Sequence, residues 1–233
     1  MGFFITFEGP EGCGKSTQAE LLYRKLLGLG YPVLLTREPG GTAISDEIRR
    51  VILDPKNTAM LPLTEILLFA ASRAQHVGQV IAPRLAKGGI VISDRYADST
   101  MAYQGYGLGI ELQMLQTITG YATGGLVPDL TLYIDIPVEV GLRRRLKLQA
   151  LAPGQTNESL APGQTNRLDL KELEYHRRVR DGYLKMIAQG PRRWVVIDGL
   201  RPVADIQADI WNAVEARLGQ AANHRVALSL PGS

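Results

Sequence analysis

The stretch Gly9-Pro10-Glu11-Gly12-Cys13-Gly14-Lys15-Ser16-Thr17 completes the pattern G-x-x-x-x-G-K-[ST] of a phosphate-binding loop. It follows the apolar, β-favouring run Phe3-Phe4-Ile5-Thr6-Phe7 and precedes a segment whose apolar residues recur at helical spacing. Between a strand and a helix, the glycines let the backbone turn so that its N–H groups face a phosphate. The whole loop is therefore predicted to bind a nucleoside triphosphate, with Lys15 at the β- and γ-phosphates and Ser16 on Mg²⁺.

Length and composition limit the class of protein. The 233 residues, 45% of them hydrophobic, suffice for one α/β domain, which we place at residues 1–219, with a C-terminal tail at 220–233. The net charge of +3 is mild, so we expect no nucleic-acid partner. The single cysteine, Cys13, cannot form an internal disulfide, and no uncharged apolar stretch approaches the ~20 residues of a membrane span. We therefore expect a cytoplasmic protein with small-molecule substrates and no membrane partner.

Strand-like and helix-like segments alternate along the chain, as in a doubly wound parallel sheet. Each strand-like run ends in polar residues, and parallel strands bring such ends to one edge, where open α/β sheets bind ligands. We predict the α/β class, with a five-stranded parallel sheet flanked by helices. The predicted strands are 3–7, 32–36, 90–94, 130–135 and 194–198, and the predicted helices are about 43–53, 61–87, 110–120, 137–149, 170–189 and 202–218.

An internal duplication lies between two of the predicted helices. The segment Leu-Ala-Pro-Gly-Gln-Thr-Asn at 151–157 recurs letter for letter at 160–166. Its composition is typical of a loop, and arginines are concentrated on both sides of it. We predict a mobile lid at about 143–169 that closes over the triphosphate. For Arg177 and Arg178 a solvated helix face is the favoured interpretation.

Three classes of nucleotide-binding protein remain open: a kinase for a small acceptor, a GTPase-like switch, and an ATPase or nucleotide-responsive binding module. A guanine-reading N/T-K-x-D loop is absent from the sequence, which argues against the switch. Asp94 or Asp135 could orient a water in an ATPase, but Arg95 follows Asp94 directly, and Arg37 and Arg73 lie on separate segments. These arginines exceed what a triphosphate needs and favour an acceptor that carries its own phosphate.

Five ordered blocks resemble the thymidylate kinase family, and the resemblance runs through most of the chain. The blocks are Phe7-Glu8-Gly9-Pro10-Glu11-Gly12, Arg37-Glu38-Pro39-Gly40-Gly41-Thr42, Leu68-Phe69-Ala70-Ala71-Ser72-Arg73-Ala74-Gln75-His76, Asp94-Arg95-Tyr96 with Ser99, and Ala102-Tyr103-Gln104-Gly105. The resemblance implies a P-loop kinase fold and transfer of the γ-phosphoryl group of ATP to dTMP, giving dTDP and ADP. It also implies Mg²⁺ and a homodimer. Another nucleoside monophosphate or deoxynucleoside kinase stays as the alternative.

The resemblance assigns roles to matching positions. Arg37 and Arg95 would hold the 5′-phosphate of dTMP, because a guanidinium fork suits a phosphate better than an ammonium does. Phe69 would stack on the thymine ring, and Arg73 would bind its O4. Further substrate contacts are implied for Glu11 near the sugar 3′-OH, Tyr103 beside the deoxyribose, Thr100 and Gln104 at the far edge of the base, and Asp94 and Ser99 in the fourth block.

Catalysis is expected to need positive charge rather than a general base, since the acceptor phosphate is already an anionic nucleophile. Lys15, Arg95 and the Mg²⁺ held through Ser16 would supply part of that charge. Some members of the family carry an extra arginine in the phosphate loop, where this chain has Gly12. A lid arginine is therefore predicted to complete the catalytic set, either Arg144 or Arg167.

Overall fold

The computed structural model describes residues 2–151 and 172–229, with side chains for 2–147 and 172–220. Its five strands are all parallel and form one sheet in the order β2-β3-β1-β4-β5. The strands are β1 Phe3–Glu8, β2 Val33–Arg37, β3 Ile90–Asp94, β4 Leu130–Asp135 and β5 Trp194–Asp198. The predicted α/β class and all five predicted strands are confirmed.

Helices cover both faces of the sheet. The α-helices are α1 Lys15–Gly28, α2 Ala43–Leu53, α3 Pro62–His76, α4 Ala82–Ala86, α5 Ala97–Thr100, α6 Leu112–Thr123, α7 Val138–Leu151, α8 Leu173–Gln189 and α9 Val203–Ser229. Two π-helical segments, Val77–Ile81 and Met101–Gly107, continue α3 into α4 and extend α5. None of the described helices is long and apolar enough to cross a membrane.

The central strand β1 is buried on both faces, which explains its continuous apolar run. Successive side chains of a strand point to opposite faces. Ile5 accordingly packs in one cluster with Leu22 of α1 and Ile210 of α9, whereas Phe4 packs with Val91 and other residues of a second cluster. The two faces together hold the end of β1, and so the start of the phosphate loop, in the middle of the sheet edge.

The helices differ from the prediction in three places. The predicted helix 61–87 is interrupted by a π-helical segment, and α9 continues to Ser229, past the predicted end at 218 and into the predicted tail. The helical segment 97–107 was not predicted, because its polar residues and glycines hide any apolar periodicity. Most of the predicted lid, including the whole second copy of the duplication, lies outside the described residues.

Candidate active site at the carboxyl edge of the sheet

The phosphate loop turns on three glycines with positive φ. Gly9, Gly12 and Gly14 have φ values of 144°, 69° and 97°, in the region that favours glycine over other residues. Gly14 caps α1, whose first turn begins at Lys15. The loop therefore places unpaired backbone N–H groups and the positive end of α1 at the edge of the sheet, an arrangement that suits an anion.

Lys15 lies inside this loop. Its Nζ donates to the carbonyl oxygens of Gly9 at 3.0 Å and Pro10 at 2.9 Å, and lies 3.5 Å from the Sγ of Cys13. The side chain is almost fully buried, so its charge is screened little by solvent. Burial raises the pKa of the Cys13 thiol, which argues against a nucleophilic role for this cysteine.

The loop also touches the start of α7 backbone to backbone. A Cβ atom on Gly12 would lie 2.1 Å from the carbonyl oxygen of Gly141, and a Cβ on Gly141 would lie 2.1 Å from the carbonyl oxygen of Glu11. A side chain at either position would force the two segments apart. This contact gives a physical reason why position 12 carries no arginine in this chain.

Ser16 and Asp94 meet across the sheet edge. The Oγ of Ser16 donates to Oδ2 of Asp94 at 2.5 Å. Asp94 ends β3, next to β1 in the sheet, so its carboxylate faces the first turn of α1. A hydroxyl beside one carboxylate, near the phosphate loop, is a donor set that Mg²⁺ accepts when waters and phosphate oxygens complete its shell.

Arg95 is the centre of the polar network. Its backbone is left-handed, with φ at 73°, which turns the side chain back over the loop. Nη2 donates to Oε1 of Glu11 at 2.6 Å and to the hydroxyl of Tyr103 at 2.9 Å, while Nη1 donates to Oγ of Ser99 at 3.2 Å. The structure thus brings four of the predicted site residues, Glu11, Arg95, Ser99 and Tyr103, into one cluster.

Glu11 is surrounded by positive charge. Its other carboxylate oxygen accepts from Nη1 of Arg145 at 2.9 Å, and Tyr103 donates to Oε1 at 2.9 Å. Burial disfavours the ionised carboxyl, but the charges of Arg95, Lys15 and Arg145, together with the hydrogen bond from Tyr103, outweigh burial and hold the pKa of Glu11 well below its usual range. Glu11 is therefore an anion that organises the arginines around it.

Glu8 was missed as a functional candidate, although the resemblance quoted it as part of a block. It is fully buried and accepts from the backbone N–H of Tyr96 at 2.8 Å, the hydroxyl of Ser99 at 2.6 Å and the hydroxyl of Tyr183 at 2.7 Å. Glu8 thereby holds Tyr96, which follows Arg95 in the chain, and Ser99, which Arg95 contacts. Burial, reinforced by the charge of Asp98, raises the pKa of Glu8 from 4.5 to about 7.

The raised pKa of Glu8 predicts a pH-dependent stability. The folded state keeps the Glu8 proton between pH 4.5 and about 7, where the unfolded state has lost it. Stability therefore falls as pH rises through this window, by roughly 3 kcal/mol for this group alone. Glu8→Gln should remove that part of the slope when unfolding free energies are measured in urea from pH 5 to 8. Exposed Glu215→Gln is the control, and an unchanged slope in Glu8→Gln would contradict the assignment.

A second arginine accompanies Arg37, and sequence reasoning missed it. Arg49 of α2 donates from Nη1 to the carbonyl oxygen of Pro39 at 2.8 Å. Burial and the neighbouring charge of Arg37 lower the pKa of Arg49 to about 10. Arg37 itself lies 3.6 Å from Asp46, and its buried Nε has no acceptor among the described residues. Crowded guanidinium groups with an unsatisfied donor are typical of an anion site.

Helical spacing could have pointed to Arg49. It follows buried Ser45 by four residues and precedes buried Ile52 by three, so the three residues share the inner face of α2. An arginine on an otherwise buried helix face needs an anionic partner nearby.

The predicted base-binding residues lie along two facing helical segments. Phe69 of α3 is partly exposed, whereas Arg73 is buried. Arg73 donates from Nε to Oε2 of Glu38 at 2.7 Å, from Nη1 to Oγ1 of Thr100 at 3.0 Å and from Nη2 to the carbonyl oxygen of Tyr96 at 3.1 Å. Its guanidinium is thus held in place by the protein, and Glu38 is a further residue that sequence reasoning missed.

The arginines at and near the predicted lid contact different parts of the protein. Arg144 donates from Nη1 to the carbonyl oxygen of Gly199 at 3.0 Å, beyond the end of β5. Its neighbour Arg145, which the sequence analysis did not select, contacts Glu11. Arg167 lies outside the described residues. Among the described residues of α7, Arg145 is the arginine that joins the cluster around Arg95.

Comparison with known proteins points to one family. Residues 7–210 match the family model described as Thymidylate kinase. The chain is 55% identical over 220 residues to a thymidylate kinase of Roseiflexus castenholzii, covering 94% of this chain and 95% of that one. It is 58% identical over 215 residues to a thymidylate kinase of Herpetosiphon aurantiacus, covering 85% and 89%. The crystal structure of thymidylate kinase from Ehrlichia chaffeensis aligns with a TM-score of 0.70 at 30% identity, covering 92% of this chain and 98% of that one.

Proposed function

The chain belongs to the thymidylate kinase family, and on that premise we propose that it transfers the γ-phosphoryl group of ATP to dTMP, giving dTDP and ADP for dTTP synthesis. The observation that carries the proposal is the presence of two candidate anion sites at one sheet edge. The phosphate loop with Lys15 forms the first, and Arg37, Arg49 and Arg95 surround the second. Two such sites suit a donor triphosphate and a phosphorylated acceptor.

In this mechanism the protein aligns the donor and acceptor phosphates and neutralises their negative charge. The loop N–H groups and Lys15 hold the donor phosphates, and the arginines hold the acceptor phosphate, so that the two can meet in line. Lys15 exchanges its bonds to the loop carbonyls for phosphate oxygens, at little cost because the donor count is unchanged. The acceptor phosphate needs no base. Arg95 stays oriented by Glu11 throughout.

Mg²⁺ would be held through the Ser16 hydroxyl, with the Asp94 carboxylate beside it. A Mg²⁺ ion held there would supply positive charge that offsets the negative charge of the transferring phosphate. The Ser16–Asp94 hydrogen bond supports this location, because it keeps a hydroxyl and a carboxylate, both oxygen ligands that Mg²⁺ accepts, side by side. Arg144 and Arg167 remain the proposed lid arginines, and Arg145 joins them because of its contact with Glu11.

A coupled ADP-release assay tests the proposal. Purified protein with Mg²⁺ and ATP is offered dTMP, dUMP, CMP, AMP or shikimate. We expect saturable ADP release with dTMP and formation of dTDP. Preference for another monophosphate would favour the alternative of a related nucleoside monophosphate kinase, and equal ADP release without any acceptor would favour an ATPase.

Arg73→Ala is expected to raise the KM for dTMP by ~10- to 100-fold, with a smaller change in kcat, because the base loses an orienting donor. The buried Glu38 carboxylate also loses its closest ion-pair partner, so the variant should melt at a lower temperature. Kinetics below that melting temperature, with the KM for ATP as the internal control, separate the two effects. An unchanged KM for dTMP would contradict the role of Arg73.

We also propose a cytoplasmic homodimer. Apolar side chains are exposed on α2 and α3, two helices that pack against each other, at 55% for Ile44, 47% for Val51, 52% for Leu63 and 51% for Leu67. Exposed apolar patches of this kind favour a protein partner, and a second copy can bury the same patch symmetrically. Multi-angle light scattering of the purified protein should give twice the mass of the chain; a monomer at micromolar concentration would contradict the dimer.

A further inference from the structure

Two hydrogen-bonded side-chain pairs join α3 to the facing segment 97–107. We call them the Arg73 rung, Arg73 with Thr100, and the Glu65 rung, Glu65 with Gln104. Glu65, Phe69 and Arg73 are spaced by four residues on α3 and so share one face, as Thr100 and Gln104 do on the facing segment. Arg73 bonds Thr100 at 3.0 Å, and the Nε2 of Gln104 donates to Oε1 of Glu65 at 2.7 Å. Phe69 lies on α3 one turn from each rung and is partly exposed.

The Glu65 rung fixes which end of the Gln104 amide faces inward. Both residues are almost fully buried, at 2% and 1% exposure. A carboxylate has no proton to donate, so only the NH₂ end of the amide can face it. The amide oxygen of Gln104 then points away from Glu65. Within the described residues no donor lies within hydrogen-bonding distance of this oxygen, and the atom is not fully enclosed by the protein.

The Arg73 rung offers hydrogen-bond donors, whereas the Glu65 rung offers the acceptor oxygen of Gln104. A guanidinium has five N–H donors and no acceptor, and here Glu38 and Thr100 hold it rigidly. We call the region beside Phe69, between the Arg73–Thr100 and Glu65–Gln104 pairs, the slot. Its wall therefore presents donors at Arg73 and an acceptor at Gln104, in a fixed order.

We propose that Glu65 is a positioning residue that selects the base of the acceptor nucleotide by holding the Gln104 amide oxygen toward the slot. This inference rests on the proposed function and deepens it. Thymine and uracil carry an acceptor at O4 and a donor at N3–H, which complements the wall. Cytosine carries a donor at N4 and an acceptor at N3, so each of its groups meets a like group.

The discrimination should be large because the groups involved are buried. A site whose buried polar groups are left unpaired by the wrong substrate rejects it by up to ~10⁴-fold. An amide that could rotate would lose this advantage, since rotation places its NH₂ group opposite the bare N3 of cytosine. Glu65 prevents the rotation without touching the base.

Glu65→Gln tests the proposal. The new amide can accept from Gln104 or donate to it, so both orientations of Gln104 become available. The ratio of kcat/KM for dTMP to kcat/KM for dCMP is expected to fall at least ~10-fold. The exposed substitution Glu215→Gln should leave the ratio unchanged. The swapped pair Glu65→Gln with Gln104→Glu again fixes an oxygen toward the slot and should restore the preference for dTMP.

The outcomes are separable. Equal loss of kcat/KM for both nucleotides in Glu65→Gln would show a merely structural role and overturn the inference. If Glu65→Gln does not fold, as judged by its circular dichroism melt, the swapped pair decides: retained preference supports the inference, and lost preference overturns it. A wild-type protein that does not phosphorylate dTMP would instead refute the proposed function.

Discussion

Lys15→Ala is expected to lower kcat for phosphoryl transfer to dTMP by ~10³-fold, because the variant loses a buried charge next to the transferred group. The effect on folding should be small, since the Lys15 ammonium bonds only to loop carbonyls and lies near the Cys13 sulfur in the described structure. Initial rates at saturating ATP and dTMP measure the loss, and thermal melting checks that the variant is folded.

Lys56→Ala is the matched control for Lys15→Ala, because Lys56 is exposed and lies in the turn after α2. Its kcat should stay within about twofold of the wild type, as is usual for surface substitutions away from a site. A folded Lys15→Ala variant with near-normal kcat would show that the loop does not hold the transferring phosphate.

Arg95→Ala is expected to reduce kcat/KM for dTMP by ~10³-fold. The acceptor phosphate would lose a charge-assisted guanidinium contact, and Glu11 would lose its 2.6 Å partner. Arg95→Lys should recover only a minor part of the activity, because an ammonium cannot reach Glu11, Ser99 and a phosphate at the same time. Steady-state kinetics with varied dTMP at fixed ATP measure both variants.

The KM for ATP tests whether the Arg95 effect is local. If Arg95 serves the acceptor, the KM for ATP should change far less than kcat/KM for dTMP. Arg24→Ala, at an exposed arginine of α1, is the control for charge removal. Equal loss of ATP and dTMP affinity in Arg95→Ala would point to collapse of the phosphate loop.

The sheet was predictable because its signals are local. The phosphate loop, the apolar strands and the polar residue ending each strand all follow from short-range patterns, and parallel pairing places those ends together. Arg95, Glu11, Ser99 and Tyr103 could be expected in one site from the family resemblance, and the structure brings them within hydrogen-bonding distance.

The missed residues depend on long-range contacts. Glu8, Glu38 and Glu65 act through partners 35 to 175 positions away, so no local pattern marks them. The choice between Arg144 and Arg145 depends on the rotation of α7, which the Gly12–Gly141 backbone contact helps to set. Segment 97–107 was missed because its buried residues are mixed. Thr100 and Gln104 make hydrogen bonds at the site, whereas Ala102 and Tyr103 pack in an apolar cluster with α8, so no regular apolar spacing appears.

The central claim is that the arginines at the sheet edge seat a second phosphorylated molecule opposite the nucleotide donor. A crystal structure with dTMP and ADP tests it most directly. The account predicts the dTMP phosphate within hydrogen-bonding distance of Arg37 and Arg95, with the thymine ring against Phe69. A dTMP phosphate bound elsewhere, with Arg37 and Arg95 still contacting only protein groups, would contradict it.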